Sequence, residues 1–241
     1  MQAGGLMMGQ NFIALLTNGA VTEFLLSLVN ITGRLVGGLG MSCLIFVLTL
    51  VFSLPLGLLI AFGRMAKNRL LSGIVRIYIS IMRGTPLMLQ LMVIFFGPHY
   101  LFHVPLTASY RYVAVIIGFS LNYAAYFAEI YRAGIESISV GQYEAAKVLG
   151  YSKGQTFFRI IFPQVVKRII PPVTNEVITL VKDTSLAFVI AVSEMFTIAK
   201  QIVAAQGTVL PFIVAGVFYY IFNYVVAYAM ERVEKKFSYF R

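Results

Sequence analysis

Apolar stretches of about 20 residues recur along this chain, and its longest polar segment, 131–172, is set between two of them. In hydrocarbon every backbone N–H and C=O must be bonded within the protein, so such stretches fold as helices or closed barrels. Runs this long and continuously apolar fit helices. Composition agrees: 59% of residues are hydrophobic, 12% are charged, and there are 20 Phe and 14 Tyr. That balance lies outside the range of a soluble domain. At 241 residues the chain has room for five or six spans with short loops. The fold class is an all-α integral membrane protein.

Residues 12–31 carry Asn18, Thr22, Glu23 and Asn30, with Val21, Phe24, Leu25, Leu28 and Val29 at helical spacing. They read as an interfacial helix ahead of the first span, with a sixth span as the alternative. The first span is placed at 37–62, with Pro55 expected to kink it. Residues 70–82 re-enter at the interface before a second span at 84–98, and 99–110 form a short aromatic loop. The third span is 111–131. A polar loop runs to Pro171-Pro172, read as a helix breaker. The fourth span is 173–195, a connection covers 196–210, and the fifth span is 211–230. The domain division is 1–31, 32–235 and 236–241, with the polar loop centred on 136–165. The absence of Lys or Arg before Arg34 argues against a cleaved signal peptide.

The net charge of +10 comes from Lys and Arg gathered in 62–83, 131–172 and the tail, fifteen in all. Arg34, Arg111 and Lys200 are the three on the other side of a five-span arrangement. The positive-inside rule therefore places the polar loop and the C-terminus in the cytoplasm and the N-terminus outside. No basic run is interleaved with exposed aromatics, which argues against nucleic acid. Cys43 is the single cysteine, and His99 and His103 have no carboxylate or Cys nearby, so neither a disulfide nor a metal site is expected.

Within the polar loop, residues 144–163 read EAAKVLGYSKGQTFFRIIFP. Glu144, Ala145 and Ala146 are followed by Gly150, Ile160 and Pro163. This spacing resembles the EAA coupling loop of ABC-importer permeases, E-A-A-x3-G-x9-I-x-L-P, with Phe162 in place of the usual Leu. Gly150 permits the left-handed turn that ends a helix. A second short helix at about 152–161 would complete a compact knob. A second motif, Arg83-Gly84-Thr85-Pro86-Leu87 with Gln90, resembles the RGTP-L-x-x-Q of permeases for polar amino acids (the histidine, glutamate, glutamine, arginine and opine group). The plainer reading is that Gly84 and Pro86 shape a helix entry while Arg83 snorkels.

Ionisable residues inside spans are costly and mark a substrate path by default. Lys182 and Asp183, flanked by Thr184 and Ser185, fall near the middle of the fourth span, where they could answer the carboxylate and ammonium of an amino acid. Asn122, Tyr126 and Glu129 share a face of the third span, with Tyr123 beside it, and Glu176 shares a face with Thr179 and Asp183. Structural pairing between helices is the competing explanation for all of these.

The resemblance covers roughly 32–235 and implies a type I ABC-importer bundle of about five transmembrane helices plus the N-terminal interfacial helix. It further implies a bacterial cytoplasmic membrane location, a cytoplasmic ABC ATPase dimer holding ATP and Mg, a second permease copy or paralogue, and an extracytoplasmic amino-acid-binding protein. The chain itself lacks a Walker-type loop or a nucleophile–base pair, so neither a cofactor nor an enzymatic activity of its own is expected. The alternative is an ion-coupled carrier or channel using Lys182, Asp183 and Glu129 as a relay. It leaves the polar loop unexplained and lacks the internal repeat of such carriers.

Overall fold

The computed structural model describes residues 20–237, and these are helical throughout apart from short links. Helix α1 is Ala20–Arg64, α2 is Arg69–Gly84, α3 is Leu87–Phe102 and α4 is Ala108–Glu136. Two short helices come next, α5 (Val140–Val148) and α6 (Lys153–Thr156), then a π-helical turn at Phe157–Ile161 that leads into α7 (Phe162–Asp183). A 3-10 segment, Thr184–Ile190, precedes α8 (Met195–Gln206) and α9 (Leu210–Phe237).

Three helices, α1, α4 and α9, are long and apolar enough to cross a membrane. Two further spans are broken: α2 and α3 meet at 112°, and the α7 rod meets α8 at 55°, giving up to five crossings.

The α1–α4 pair forms the most extensive contact in the fold. It is built on small residues: Ala61, Ala124, Ala125 and Ala128 are fully buried, and a Cβ on Gly57 would lie 2.8 Å from the Phe127 Cβ. Close backbone approach replaces hydrophobic drive as the source of helix association in lipid. The main core adds Phe119, Tyr123, Phe127 and Leu180, and a second cluster joins Ile31 and Leu35 of α1 to Met195, Ala199 and Ile202 of α8. Outward faces of α1 and α9 stay apolar, with Leu26, Val29, Val217 and Tyr220 exposed, as a lipid boundary requires.

Several boundaries differ from the sequence reading. Residues 20–31 are not a separate interfacial helix but the first turns of α1, because Ile31 and Leu35 dock against α8; residues 12–19 lie outside those described. As the sequence reading had it, Pro55 lies inside a continuous helix, α1. The tandem Pro171-Pro172 does not break α7, which runs through both. A bilayer helix tolerates the lost backbone bonds where neighbours flank it, and α7 is held between α4 and α9. The expected connection at 196–210 is mostly helix, α8, whose end is set by Gly207 at φ 64.

Replacing Gly57 with Ala is expected to cost about 1–3 kcal/mol through overpacking of the α1–α4 seam. The control is Gly40→Ala, where a Cβ meets nothing within 4 Å. Thermal unfolding midpoints of the two purified variants in detergent check this: only Gly57→Ala should fall.

Candidate functional site

The tight α2–α3 bend is closed by Arg83-Gly84-Thr85-Pro86. Pro86, with φ −62, stands at the N-cap of α3, and the Thr85 hydroxyl donates to the Ile81 carbonyl at 2.8 Å. Gln90, one turn into α3, reaches back. Its Nε2 donates to Met82 O at 3.0 Å and to Thr85 Oγ1 at 2.8 Å. Asn122 of α4 completes the network, donating to Gln90 Oε1 at 2.9 Å and to Met82 O at 3.1 Å. Both amides are buried. Gln90 therefore satisfies carbonyls freed by the bend, and the amide of Asn122 is committed to the same task.

Three cavities succeed one another along α7. The first, about 290 Å³, lies between the α2–α3 bend, α4 and α7, and is lined by Thr85, Pro86, Asn122, Tyr123, Tyr126, Glu176, Thr179 and Asp183. The Tyr123 hydroxyl donates to Asp183 Oδ2 at 2.7 Å. The second, about 400 Å³, shares Tyr126 and Glu176 with the first and adds Arg83, Glu129, Arg168 and Pro172. The Arg83 guanidinium stands 5.3 Å from the centroid of the Tyr126 ring. The third, about 590 Å³, shares Arg168 and adds Arg159, Pro163, Gln164 and Lys167. Charge reverses along this track. Two carboxylates line the first cavity, both signs line the second, and cations line the third.

The expected path residues divide accordingly. Asn122, Tyr123, Tyr126 and Asp183 come together in the first cavity, and Glu129 reaches the second. Glu129 is ion-paired with Arg132, which also meets Glu136. Lys182 is exposed and lines none of the three cavities, so it does not face Asp183 across a shared pocket. The reason is that adjacent helical residues point about 100° apart, so Asp183 turns to the cavity and Lys182 away from it. Thr184 and Ser185 return their hydroxyls to the carbonyls of Val181 and Lys182 at 2.8 and 2.7 Å, where the α-helix tightens to 3-10 geometry. Glu176, Thr179 and Asp183 at i, i+3 and i+7 line the first cavity together; that spacing was the signal. Arg168 had no such signal, since it reads as one more cation in a basic loop.

The polar hairpin has its own internal geometry. Helix α5 ends at Gly150, whose φ of 78 is the left-handed turn expected there. Glu144 and Ala145 are exposed, but Ala146 is buried within the hairpin and so is not free to line a partner groove. Val148 and Leu149 instead present apolar side chains, 87% and 71% exposed. The second short helix is not separate. Ser152 caps α6 with a reciprocal Gln155 contact, and the chain then passes through the π turn directly into α7, with Pro163 in its first turn.

Residues 53–239 match the family described as binding-protein-dependent transport system inner membrane component. The chain belongs to this family. The chain is 37% identical over 202 residues to the L-cystine transport system permease protein TcyB of Bacillus subtilis, covering 83% of this chain and 85% of that one. It is 40% identical over 184 residues to the nopaline transport system permease protein NocM of Agrobacterium fabrum, covering 73% and 75%. Among solved structures, a crystal structure of an amino acid ABC transporter with histidines superposes at a TM-score of 0.80 and 29% identity, covering 88% of this chain and 97% of that one. An inward-facing MetNI methionine ABC transporter shares the fold at a TM-score of 0.64 and 18% identity. The fold is thus that of a type I ABC-importer permease, and the ion-coupled carrier reading is not favoured.

Gln90→Leu should take from Asn122 its Gln90 acceptor and from Met82 O and Thr85 Oγ1 their Gln90 donor, leaving only the Asn122–Met82 bond, at a cost of about 1–3 kcal/mol. A lowered unfolding midpoint in detergent, with Leu89→Ala at an exposed neighbouring site as control, is the check.

Proposed function

We propose that this chain forms the translocation path of an ATP-driven importer of polar amino acids in a bacterial cytoplasmic membrane. One observation carries the reading: α7 is a single rod, about 33 Å long at 1.5 Å per residue, joining the polar hairpin to the cavity that holds Asp183. A push on the hairpin moves that cavity wall. The relatives support the amino acid class: two are the cystine and nopaline permeases above, and a third is the arginine transport system permease protein ArtQ of Bacillus subtilis, 36% identical over 200 residues.

The cavity chemistry fits a zwitterion. Asp183 and Glu176 offer acceptors for an ammonium group, and Arg83, in the adjoining cavity, is placed to meet a carboxylate. Arg83 takes the role that the sequence pattern gives to Lys182. Loaded binding protein docks outside; two ATPase subunits, holding ATP and Mg, close inside and press on the hairpins of two permease chains, identical or paralogous. Exposed Val148 and Leu149, beside Glu144, Ala145 and Gly150, provide the apolar contact for that docking. The hairpin and C-terminus then lie in the cytoplasm and the N-terminus outside.

The test is uptake and ATP hydrolysis by the complex in liposomes, screened across polar amino acids with candidate binding proteins. Uptake that stops without ATP and survives collapse of the proton gradient supports the reading; uptake that tracks the gradient overturns it. Gly150→Asp should keep ATP hydrolysis while uptake falls at least about tenfold, because an L residue at φ 78 misshapes the knob. Asp183→Asn should likewise cut uptake at least about tenfold with the complex intact, whereas Lys182→Met should stay within about twofold of the parent.

A further inference from the structure

The cavities along α7 employ Asp183, Glu176 and Arg83 but leave aside the most deeply buried acidic side chain of the described residues. Glu194 is fully buried and lines none of those cavities. It stands at the break between the α7 rod and α8. Both carboxylate oxygens are saturated. Oε1 accepts from the Thr197 N–H at 2.6 Å and the Thr197 hydroxyl at 2.8 Å. Oε2 accepts from the Phe196 N–H at 2.7 Å, the Tyr219 hydroxyl at 3.0 Å and the Ser42 hydroxyl at 3.4 Å.

Those donors belong to three helices. The contacts to residues 196 and 197 cap α8. Capping alone asks for a short acceptor such as Ser, Thr, Asp or Asn. The longer Glu also reaches Tyr219 on α9 and Ser42 on α1. The α1 connection is close: the Met195 N–H donates to Ser42 Oγ at 3.3 Å, and a Cβ on Gly38, one turn earlier, would come 2.7 Å from the Met195 Cα. On the other side of the break Ala191 holds a left-handed φ of 55, and its carbonyl accepts from Arg111 Nη1 of α4 at 3.0 Å.

A broken span is a joint, and a loose joint would let α7 move without moving α8. This joint is pinned to α4 through Ala191 and to α1 and α9 through Glu194. We propose that Glu194 is a positioning residue that carries displacement of α7 into α1 and α9, so that the far side of the bundle responds when the hairpin is pushed. It acts through Ser42 and Tyr219 and touches no substrate. The inference rests on the transport reading above.

The test counts ATP hydrolysed per amino acid taken up by the full complex in liposomes. Tyr219→Phe removes one distant link and leaves the α8 cap in place; Ser42→Ala removes its link to Glu194 together with the acceptor of the Met195 N–H. The ratio should rise at least about fivefold for Tyr219→Phe, the low end for coupled sites, with the KM for uptake unchanged because the cavity is untouched. Ser42→Ala should move it in the same direction. Glu194→Gln, whose amide NH2 would oppose an N–H donor, should exceed both. A purely structural role would lower the yield of assembled complex at an unchanged ratio. Normal uptake by the parent with the parental ratio in Tyr219→Phe and Glu194→Gln overturns this proposal alone. No ATP-driven uptake by the parent overturns the transport reading and this proposal with it.

Discussion

Hydrocarbon offers no water to an unpaired peptide group, and the architecture obeys that restriction. A bundle of unbroken helices would meet it at no cost but would have no interior polar wall. This chain breaks two spans, and at each break side chains take over the duty of solvent. At the α2–α3 bend the buried amides of Gln90 and Asn122 bond the Met82 carbonyl. At the α7–α8 break Arg111 takes the Ala191 carbonyl, and Glu194 takes two amides of α8. The first cavity abuts the first break and reaches the end of α7, so polarity within the membrane coincides with backbone that has been locally compensated.

The same restriction explains which parts of the fold were legible in sequence. The long apolar helices, the left-handed turn at Gly150 and the reversal at Arg83-Gly84-Thr85-Pro86 are local matters, written in hydropathy, glycine and proline. Pro171-Pro172 misled because proline's preference to end a helix is a statement about isolated chains, and α7 is gripped by α4 and α9. Lys182 misled for a different reason. Adjacent residues on a helix point about 100° apart, and of this pair only Asp183 turns into a cavity. Glu194 carries no pattern at all: one acidic residue after a serine reveals nothing until α1 and α9 are folded around it.

The candidate site was half visible. Asn122, Tyr123, Tyr126 and Asp183 share a cavity, as helical spacing and intramembrane polarity suggested. Glu176 and Thr179 are in phase with Asp183, and that phase brings them to the same wall. The cation beside this wall was not legible, because Arg83 comes from a different helix and stands at the face of Tyr126 only once α2 and α4 pack together. Contacts between elements distant in sequence are beyond the reach of periodicity.

The π turn at Phe157–Ile161 carries a consequence of its own. Wider than an α-turn, it behaves as a residue inserted into an otherwise regular helix. Each residue added to an α-helix rotates the remainder of the rod by about 100°. A π turn takes up such an addition within its own wider ring, so the hairpin and the cavity face of α7 keep nearly the phase of an α-helical linker one residue shorter. Removing one residue from 157–161 would restore simple winding with that phase kept, whereas removing one from the regular turns of α7 would rotate the hairpin by about 100° relative to Glu176 and Asp183. This wide turn thus lets the chain carry an extra residue at the foot of the rod, where Arg159 and Ile160 line the basic mouth, without turning the cavity face away from α4.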